Sequence, residues 1–146
     1  MKVCLDTNLY IEAERDAEFN ASLQRFFRGY SPFVYVHRTV IAELAVGSAT
    51  MSTRNVILAG YQGAAESVGH LITPTGEDWD AVSEIVVQLR SVGRLTTIAQ
   101  NFMNDCLIAA GCARLGVRLV TRNTRDFERI RRVLPGLETR STLPDL

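Results

Sequence analysis

The sequence predicts an α/β fold in which a mainly parallel sheet of four or five strands is covered by helices. Short apolar runs rich in β-branched residues alternate with longer amphipathic runs along the chain of 146 residues. Such alternation is typical of parallel strands joined by right-handed helical crossovers. The composition, with 47% hydrophobic and 22% charged residues, is that of an ordinary folded protein. We therefore expect a single domain over residues 1–146.

Five short apolar runs are predicted to be strands. Each is rich in β-branched, aliphatic or aromatic residues, and turn-forming residues flank several of them, as Pro74 does after the third. The runs are residues 2–5, 33–36, 70–73, 118–121 and, as an edge strand, 137–140.

The longer runs, in which apolar residues recur three and four positions apart, are predicted to be helices. The first is expected to be interrupted near Asp16, and the last to begin at Asn123 or Thr124. The predicted helices are residues 8–28, 40–46, 52–68, 75–89, 104–115 and 123–133.

Capping residues indicate where several of these helices begin and end. We expect Thr39 to cap the second helix and Asn104 to cap the one that precedes the fourth strand. Thr75 and Asp78 have the spacing of a capping box. Gly116 is expected to end the helix that Asn104 begins.

Several classes of protein are disfavoured by the sequence. The three cysteines, Cys4, Cys106 and Cys112, are an odd number without C-x-x-C spacing, so we expect buried thiols rather than disulfides or a zinc site. No apolar run approaches the ~18 residues of a membrane span. Asp6 also interrupts the apolar stretch that a signal peptide would need. We expect a cytoplasmic protein without a membrane partner.

The charges are unevenly distributed although the formal net charge is zero. Seven arginines lie between residues 114 and 132. The planar guanidinium suits phosphate, so Arg122, Arg125 and Arg129 are candidates for contacts with phosphate groups. Solvated helix faces paired with acids explain the same pattern equally well.

Four acidic residues occupy the same kind of junction between predicted elements. Asp6 follows the first strand, and Glu43 lies early in the helix after the second. Asp105 opens the helix before the fourth strand, and Asp126 lies in the first turn of the helix after it. Open α/β sheets bind ligands at the carboxyl ends of their strands, so these acids are candidates to converge there. A cluster of oxygen ligands without His or Cys would select Mg²⁺ or Mn²⁺.

The residues alone leave other interpretations open. Each acid taken singly is as well explained as a helix-capping or solvated residue. A non-catalytic binding module could keep the same acids. An aspartyl-nucleophile phosphatase is disfavoured because it needs a second Asp where Asn8 stands. If Glu43 and Asp105 share a site without metal, one of them should have a pKa well above its usual value of about 4.

Four short motifs around these acids resemble the PIN-domain ribonucleases, in particular the VapC-type toxins of toxin–antitoxin pairs. They occur in the family's order and span nearly the whole chain: VCLDTN at 3–8, AEL at 42–44, D-x-x-IAA at 105–110 and LVTRNTRDF at 119–127. The resemblance implies a three-layer α/β/α sandwich. It also implies hydrolysis of RNA phosphodiester bonds with Mg²⁺, or with Mn²⁺ as a substitute.

The resemblance further implies roles for individual residues. Asp6, Glu43 and Asp105 would be metal-binding acids, and Asp126 would complete the metal site or orient water. The residues implied to support these acids or to face the substrate are Thr7, Asn8, Thr121, Asn123, Arg122 and Arg125. Many members of the family carry an acid where Asn123 stands, whereas this chain follows those with an acid at Asp126. The resemblance implies a homodimer and a VapB-like cognate antitoxin whose tail can enter the active-site groove.

Overall fold

A computed structural model describes residues 1–145, and its centre is a five-stranded sheet. Every pair of neighbouring strands is parallel, in the order β3-β2-β1-β4-β5. The prediction of a mainly parallel sheet with four or five strands is confirmed. The strands are β1 Val3–Leu5, β2 Val34–His37, β3 Leu71–Ile72, β4 Arg118–Val120 and β5 Thr139–Arg140.

Helices cover the sheet and complete the α/β/α sandwich. Helices α6, α7 and α8 pack against one another, whereas α1 packs against α2 and α3, and α3 packs against α4. A π-helical segment over residues 59–63 joins α4 to α5. Within residues 1–145 the α-helices are α1 Thr7–Arg15, α2 Ala17–Tyr30, α3 Arg38–Val46, α4 Met51–Leu58, α5 Ala64–Ser67, α6 Gly76–Ser91, α7 Gln100–Leu115 and α8 Thr124–Val133.

Several predicted helix boundaries are confirmed. Asp16 separates α1 from α2 and caps α2 by accepting two backbone hydrogen bonds. Thr75 and Asp78 form the expected capping box at the start of α6. Gly116 ends α7 with a φ of 63°, in the left-handed region that glycine adopts without strain.

The predicted start of α7 is wrong. The helix begins at Gln100, so Asn104 lies inside it and Asp105 lies in its second turn rather than at its opening. Phe102 and Cys106 are four residues apart on one face of the helix, and both are buried. Packing of this apolar face therefore extends the helix beyond the residue best suited to cap it.

The predicted cap of α3 is also wrong. The second strand is shifted by one residue and ends at His37, because residues 31–33 form a 3₁₀ turn. The helix follows directly, and Nδ1 of the fully buried His37 accepts the Thr39 backbone N–H at 3.0 Å. Thr39 therefore lies in the first turn of α3, and His37 caps it.

The core lies on both sides of the two central strands. All residues of β1 are buried, and the core continues through β4 and the inner faces of the surrounding helices. Cys4, Cys106 and Cys112 are free, buried thiols, as expected. No helix within residues 1–145 has the length and apolar character needed to cross a membrane. Polar residues, Asp6 and Thr121, directly follow the two central strands at the same edge of the sheet.

Candidate active site

A cavity of about 660 Å³ opens at the carboxyl ends of the central strands. Asp6 enters it directly after β1, and Glu43 enters it from α3. Asp105 and Asp126 enter from α7 and α8. The structure thus brings the four acids predicted from the sequence into one cavity.

Asp6 is held by hydrogen bonds to both of its carboxylate oxygens. Oδ1 accepts the Thr7 backbone N–H at 2.8 Å, which caps α1, and Oδ2 accepts the Thr121 hydroxyl at 2.7 Å. The side chain is buried, and burial raises its pKa while these two hydrogen bonds oppose the rise. The orientation of Asp6 is therefore fixed from both neighbouring central strands.

Thr7 connects Asp6 to Glu43. Its backbone N–H donates to Asp6, and its hydroxyl donates to Glu43 Oε1 at 2.8 Å. Burial is the main cause of a raised pKa at Glu43, and the negative charge of Asp6 adds to it. One residue of α1 thus positions two of the acids.

Asn123 bridges the other two acids. Its side-chain Nδ2 donates to Asp105 Oδ2 at 3.2 Å and to Asp126 Oδ2 at 3.1 Å. The same residue caps α8, where its Oδ1 accepts the Asp126 backbone N–H. At Asn123 this chain therefore has an amide that donates to two carboxylates.

The cluster is electrostatically strained at Asp105. Burial raises the pKa of Asp105 to about 8, and the negative charges of Asp6, Glu43 and Asp126 contribute further. At Asp126, burial acts in the same direction, but hydrogen bonds from Arg129 and Asn123 outweigh it and lower the pKa. The protein thus compensates the charge of Asp126 and leaves that of Asp105 largely uncompensated.

Arg129 lines the cavity, a placement that was not predicted from the sequence. Its Nη2 is paired with Asp126 Oδ1, and its Nη1 donates to the Arg94 carbonyl at 3.0 Å. The guanidinium lies over the Phe102 ring, 5.1 Å from the centroid. The three-residue spacing between Asp126 and Arg129 on one helix was the available sequence signal for the ion pair.

The remaining predicted residues have different placements. Asn8 and Arg125 line the cavity. The Thr121 hydroxyl donates to Asp6, but Thr121 does not line the cavity. Arg122 does not line the cavity, because its guanidinium binds the Glu12 carboxylate at 2.9 Å. This placement gives no support to a phosphate contact by Arg122.

Comparison with protein families decides the identity of the fold. The model of the PIN domain matches residues 3–133. The chain belongs to the PIN-domain family. Members of this family are nucleases, and they generally use divalent metals. The matched region contains all four acids of the cavity.

Several solved structures share the fold at low sequence identity. VapBC from Salmonella typhimurium bound to DNA is 21% identical with a TM-score of 0.68, and the match covers 96% of this chain and 97% of that chain. VapBC2 from Rickettsia felis bound to a promoter fragment is 21% identical with a TM-score of 0.64, covering 96% and 98%. VapBC-1 from nontypeable Haemophilus influenzae is 22% identical with a TM-score of 0.63, covering 96% and 97%. No curated protein sequence matches the chain.

The carboxylates of the PIN-domain cavity are suitable ligands for a hydrated divalent cation. Among residues 1–145, no three His, Cys, Asp or Glu side chains form a ready coordination shell. Mg²⁺ does not need one, because it keeps several waters and commonly uses one or two carboxylates. The raised pKa of Asp105 reflects a negative charge that such a cation would compensate. The oxygen-only donors therefore fit Mg²⁺ or Mn²⁺.

Proposed function

We propose that this PIN domain is a metal-dependent endoribonuclease that hydrolyses RNA phosphodiester bonds. The observation that carries the proposal is the convergence of four carboxylates in one cavity at the carboxyl ends of β1 and β4. A catalytic pocket at this edge of a parallel sheet follows the general rule for open α/β folds. Membership of a nuclease family supports the same conclusion.

Within this proposal the acids hold Mg²⁺ or Mn²⁺. Asp6, Glu43 and Asp105 would hold the cation, and Asp126 would be the fourth acid of the site. The cation supplies Lewis-acid stabilisation of the charge that develops on the phosphoryl group. Thr7 holds Asp6 and Glu43 at a fixed separation, and Asn123 does the same for Asp105 and Asp126.

We further propose that the chain is the toxin of a toxin–antitoxin pair. Its fold is that of chains solved as VapBC complexes from several bacteria. A VapB-like antitoxin is the proposed partner, and its tail would block the cavity that RNA enters. We place this activity in the cytoplasm, where RNA and antitoxin are both made.

A homodimer is the proposed assembly. Val46, Met51 and Val56 lie on the successive helices α3 and α4, with 85%, 67% and 69% of their surfaces exposed. A contiguous patch formed by these side chains would be typical of a protein interface. A second copy of the chain is the occupant that we propose for this surface.

Cleavage of RNA by the purified chain tests the enzymatic proposal. The reaction is run with Mg²⁺, with Mn²⁺ and with excess EDTA, beside the double variant Asp6→Ala, Asp105→Asn. We expect cleavage with either cation and none with EDTA or with the variant. Asp80→Asn is the matched control, because Asp80 is an exposed acid on α6 outside the cavity. Equal cleavage in EDTA would contradict metal dependence, and cleavage by the double variant would exclude this cavity.

A further inference from the structure

The cavity has an acidic side and a side rich in arginine. Asp6, Glu43 and Asp105 enter it from the end of β1 and from α3 and α7, whereas Arg94, Arg125 and Arg129 line the side formed by α8 and the segment before α7, together with the fourth acid, Asp126. Arg129 is paired with Asp126. Among residues 1–145, the guanidinium groups of Arg94 and Arg125 form no ion pair and no hydrogen bond, and both residues are exposed.

The position of this arginine-rich side is fixed by the fold. Arg125 and Arg129 are four residues apart on α8, so their side chains share one face of the helix. Arg129 binds the Arg94 carbonyl at 3.0 Å, which attaches the backbone of Arg94 to the same helix face. The Phe102 ring supports the Arg129 guanidinium from α7. Arg94 and Arg125 therefore flank an anchored residue, Arg129, and both extend into the same cavity.

An RNA strand that crosses the cavity meets different electrostatic conditions at the two sides. Next to the acids, a phosphate is repelled wherever no cation compensates their charge. At the other side, two free guanidinium groups offer planar donor pairs that match phosphate oxygens. Neither arginine has to give up an ion pair within residues 1–145 before it can bind an anion.

We propose that Arg94 and Arg125 form a subsite for a backbone phosphate adjacent to the phosphodiester that is cleaved. The inference rests on the proposed RNA-cleaving function and adds a direction to it. The strand runs from Asp6, Glu43 and Asp105 toward α8, and the adjacent phosphate on that side of the cleaved bond is bound by the two arginines. The ligand class is a phosphodiester of single-stranded RNA, recognised through its charge and not through its bases.

Binding of a fluorescein-labelled 12-nucleotide oligouridylate tests the subsite. Fluorescence anisotropy is measured at several NaCl concentrations in EDTA, so that cleavage does not interfere. For a single strand, each phosphate contact contributes about 0.7 to the slope of log K against log salt. We expect Arg94→Gln and Arg125→Gln each to reduce the slope, and the double variant to reduce it by about 0.7, the contribution of the one phosphate that the two arginines bind.

The matched control is the double variant Arg90→Gln, Arg132→Gln. Both residues are exposed arginines on α6 and α8, and neither lines the cavity. The control removes the same formal charge as the cavity double variant. A difference between the two therefore reflects where the arginines lie and not the net charge of the chain. We expect its slope to stay within about 0.3 of the unaltered chain, because distant exposed charges are screened.

The outcomes separate the subsite from the proposed function. If the cavity double variant binds with the same slope as the control while the unaltered chain cleaves RNA, the subsite is wrong and the nuclease stands. If the cavity variant loses binding selectively but the unaltered chain cleaves no RNA, the subsite is supported and the nuclease proposal fails. Absence of oligouridylate binding by the unaltered chain would overturn the subsite, whereas the nuclease proposal is decided by the cleavage assay alone.

Discussion

Hydroxyl and amide groups of neighbouring residues hold the acids of the cavity in place. Thr7 and Thr121 each donate a side-chain hydrogen bond to a carboxylate, and the Asn123 amide donates to two. These donors fix the orientations of acids that repel one another, so the site is organised before a cation or substrate binds. Removing a donor should therefore affect both stability and activity although every acid remains.

Replacing Thr121 by Val removes the hydroxyl that donates to Asp6 Oδ2 at 2.7 Å and keeps a similar shape. Because Asp6 is only 4% exposed, water cannot easily replace this donor. We expect the free energy of unfolding to fall by about 1–3 kcal/mol. Displacement of Asp6 should also lower the rate of RNA cleavage by roughly 10–100-fold. Urea unfolding and single-turnover cleavage measure the two effects.

Thr142→Val is the matched control because Thr142 is exposed and lies outside the cavity. It should change neither the free energy of unfolding nor the cleavage rate by a measurable amount. If Thr121→Val behaved like this control, the Thr121 hydroxyl would not be needed to position Asp6.

Asp105 should make the metal-free protein less stable as the pH rises toward 8. Its pKa in the folded state is about 8, above the ordinary value of 3.8, so the folded chain binds more protons than the unfolded chain between these values. Stability from this group is fully present below pH 4 and is lost as the pH rises through 8. We expect Asp105→Asn in EDTA to flatten the fall in Tm between pH 7 and 9. Each kcal/mol gained at pH 8 corresponds to about 2–4 °C in Tm.

Two controls define this experiment. Burial lowers the pKa of His37 to about 4, so protonation of this residue destabilises the fold only as the pH falls below about 6.5, outside the chosen window. Asp80→Asn, at an exposed position, should leave the pH dependence of Tm unchanged. Added Mg²⁺ should raise the Tm of the unaltered chain at pH 8 and raise that of Asp105→Asn less. A parallel pH dependence in Asp105→Asn and the unaltered chain would show that Asp105 carries no uncompensated charge.

Asp6 and Asp126 could be placed at this edge of the sheet because they lie beside a strand end and a helix start, where sequence patterns are strong, whereas Glu43 and Asp105 lie in the second turns of α3 and α7. The surroundings of Arg129 could not be predicted. Its partner Asp126 is close in sequence, but the Arg94 carbonyl and the Phe102 ring come from a segment that only folding brings to α8. The absence of a partner for Arg94 is likewise a property of the folded surface, and no local pattern in the sequence reveals it.

At the scale of elements, tertiary packing decided the boundaries that local rules placed incorrectly. Asn104 is a good cap, yet burial of Phe102 extends α7 to Gln100. Asp105 still reaches the cavity from the second turn of the helix. Capping residues that face no competing apolar contact, such as Asp16 and Thr75, were predicted correctly.

The contact between α7 and the strands is tight enough to exclude a methyl group at Gly111. A Cβ atom there would lie 2.8 Å from His37 Nε2 and 2.9 Å from Ile72 Cγ2. Both neighbours are fully buried and have little room to move. We expect Gly111→Ala to lower the free energy of unfolding by about 1–3 kcal/mol, which outweighs a gain of about 1 kcal/mol in helix propensity. Urea unfolding measures the difference.

Gly63→Ala provides the comparison, because Gly63 is exposed and a Cβ there meets nothing within 4 Å. That substitution should be neutral or stabilising by up to about 1 kcal/mol. If Gly111→Ala were as stable as Gly63→Ala, α7 would have room to shift, and the position of Asp105 on it would be less rigid than we infer.

At the scale of the whole molecule, a net charge of zero conceals a cavity that is lined by both acids and arginines. The equal totals of acidic and basic residues gave no indication of a nucleic-acid partner. In the folded chain, many arginines are paired with acids outside the cavity, including Arg38, Arg114 and Arg118. The parallel sheet and its functional edge followed from the alternation of strands and helices, whereas this pairing depends on contacts between distant segments.

The apolar surface on α3 and α4 is where we expect two copies of the chain to meet. Val56 is 69% exposed, and its burial in an interface would contribute about 1.5 kcal/mol or more. A two-fold axis repeats every contact, so a change at Val56 acts twice in each dimer. We expect Val56→Glu to raise the dimer dissociation constant by roughly a hundredfold, because about 3 kcal/mol is lost.

Val87→Glu is the matched control, since Val87 is 57% exposed on α6, away from this surface. Analytical ultracentrifugation of the three chains over a range of concentrations measures the dissociation constants. A monomeric unaltered chain would show that there is no such interface, and a fully dimeric Val56→Glu would place the interface elsewhere.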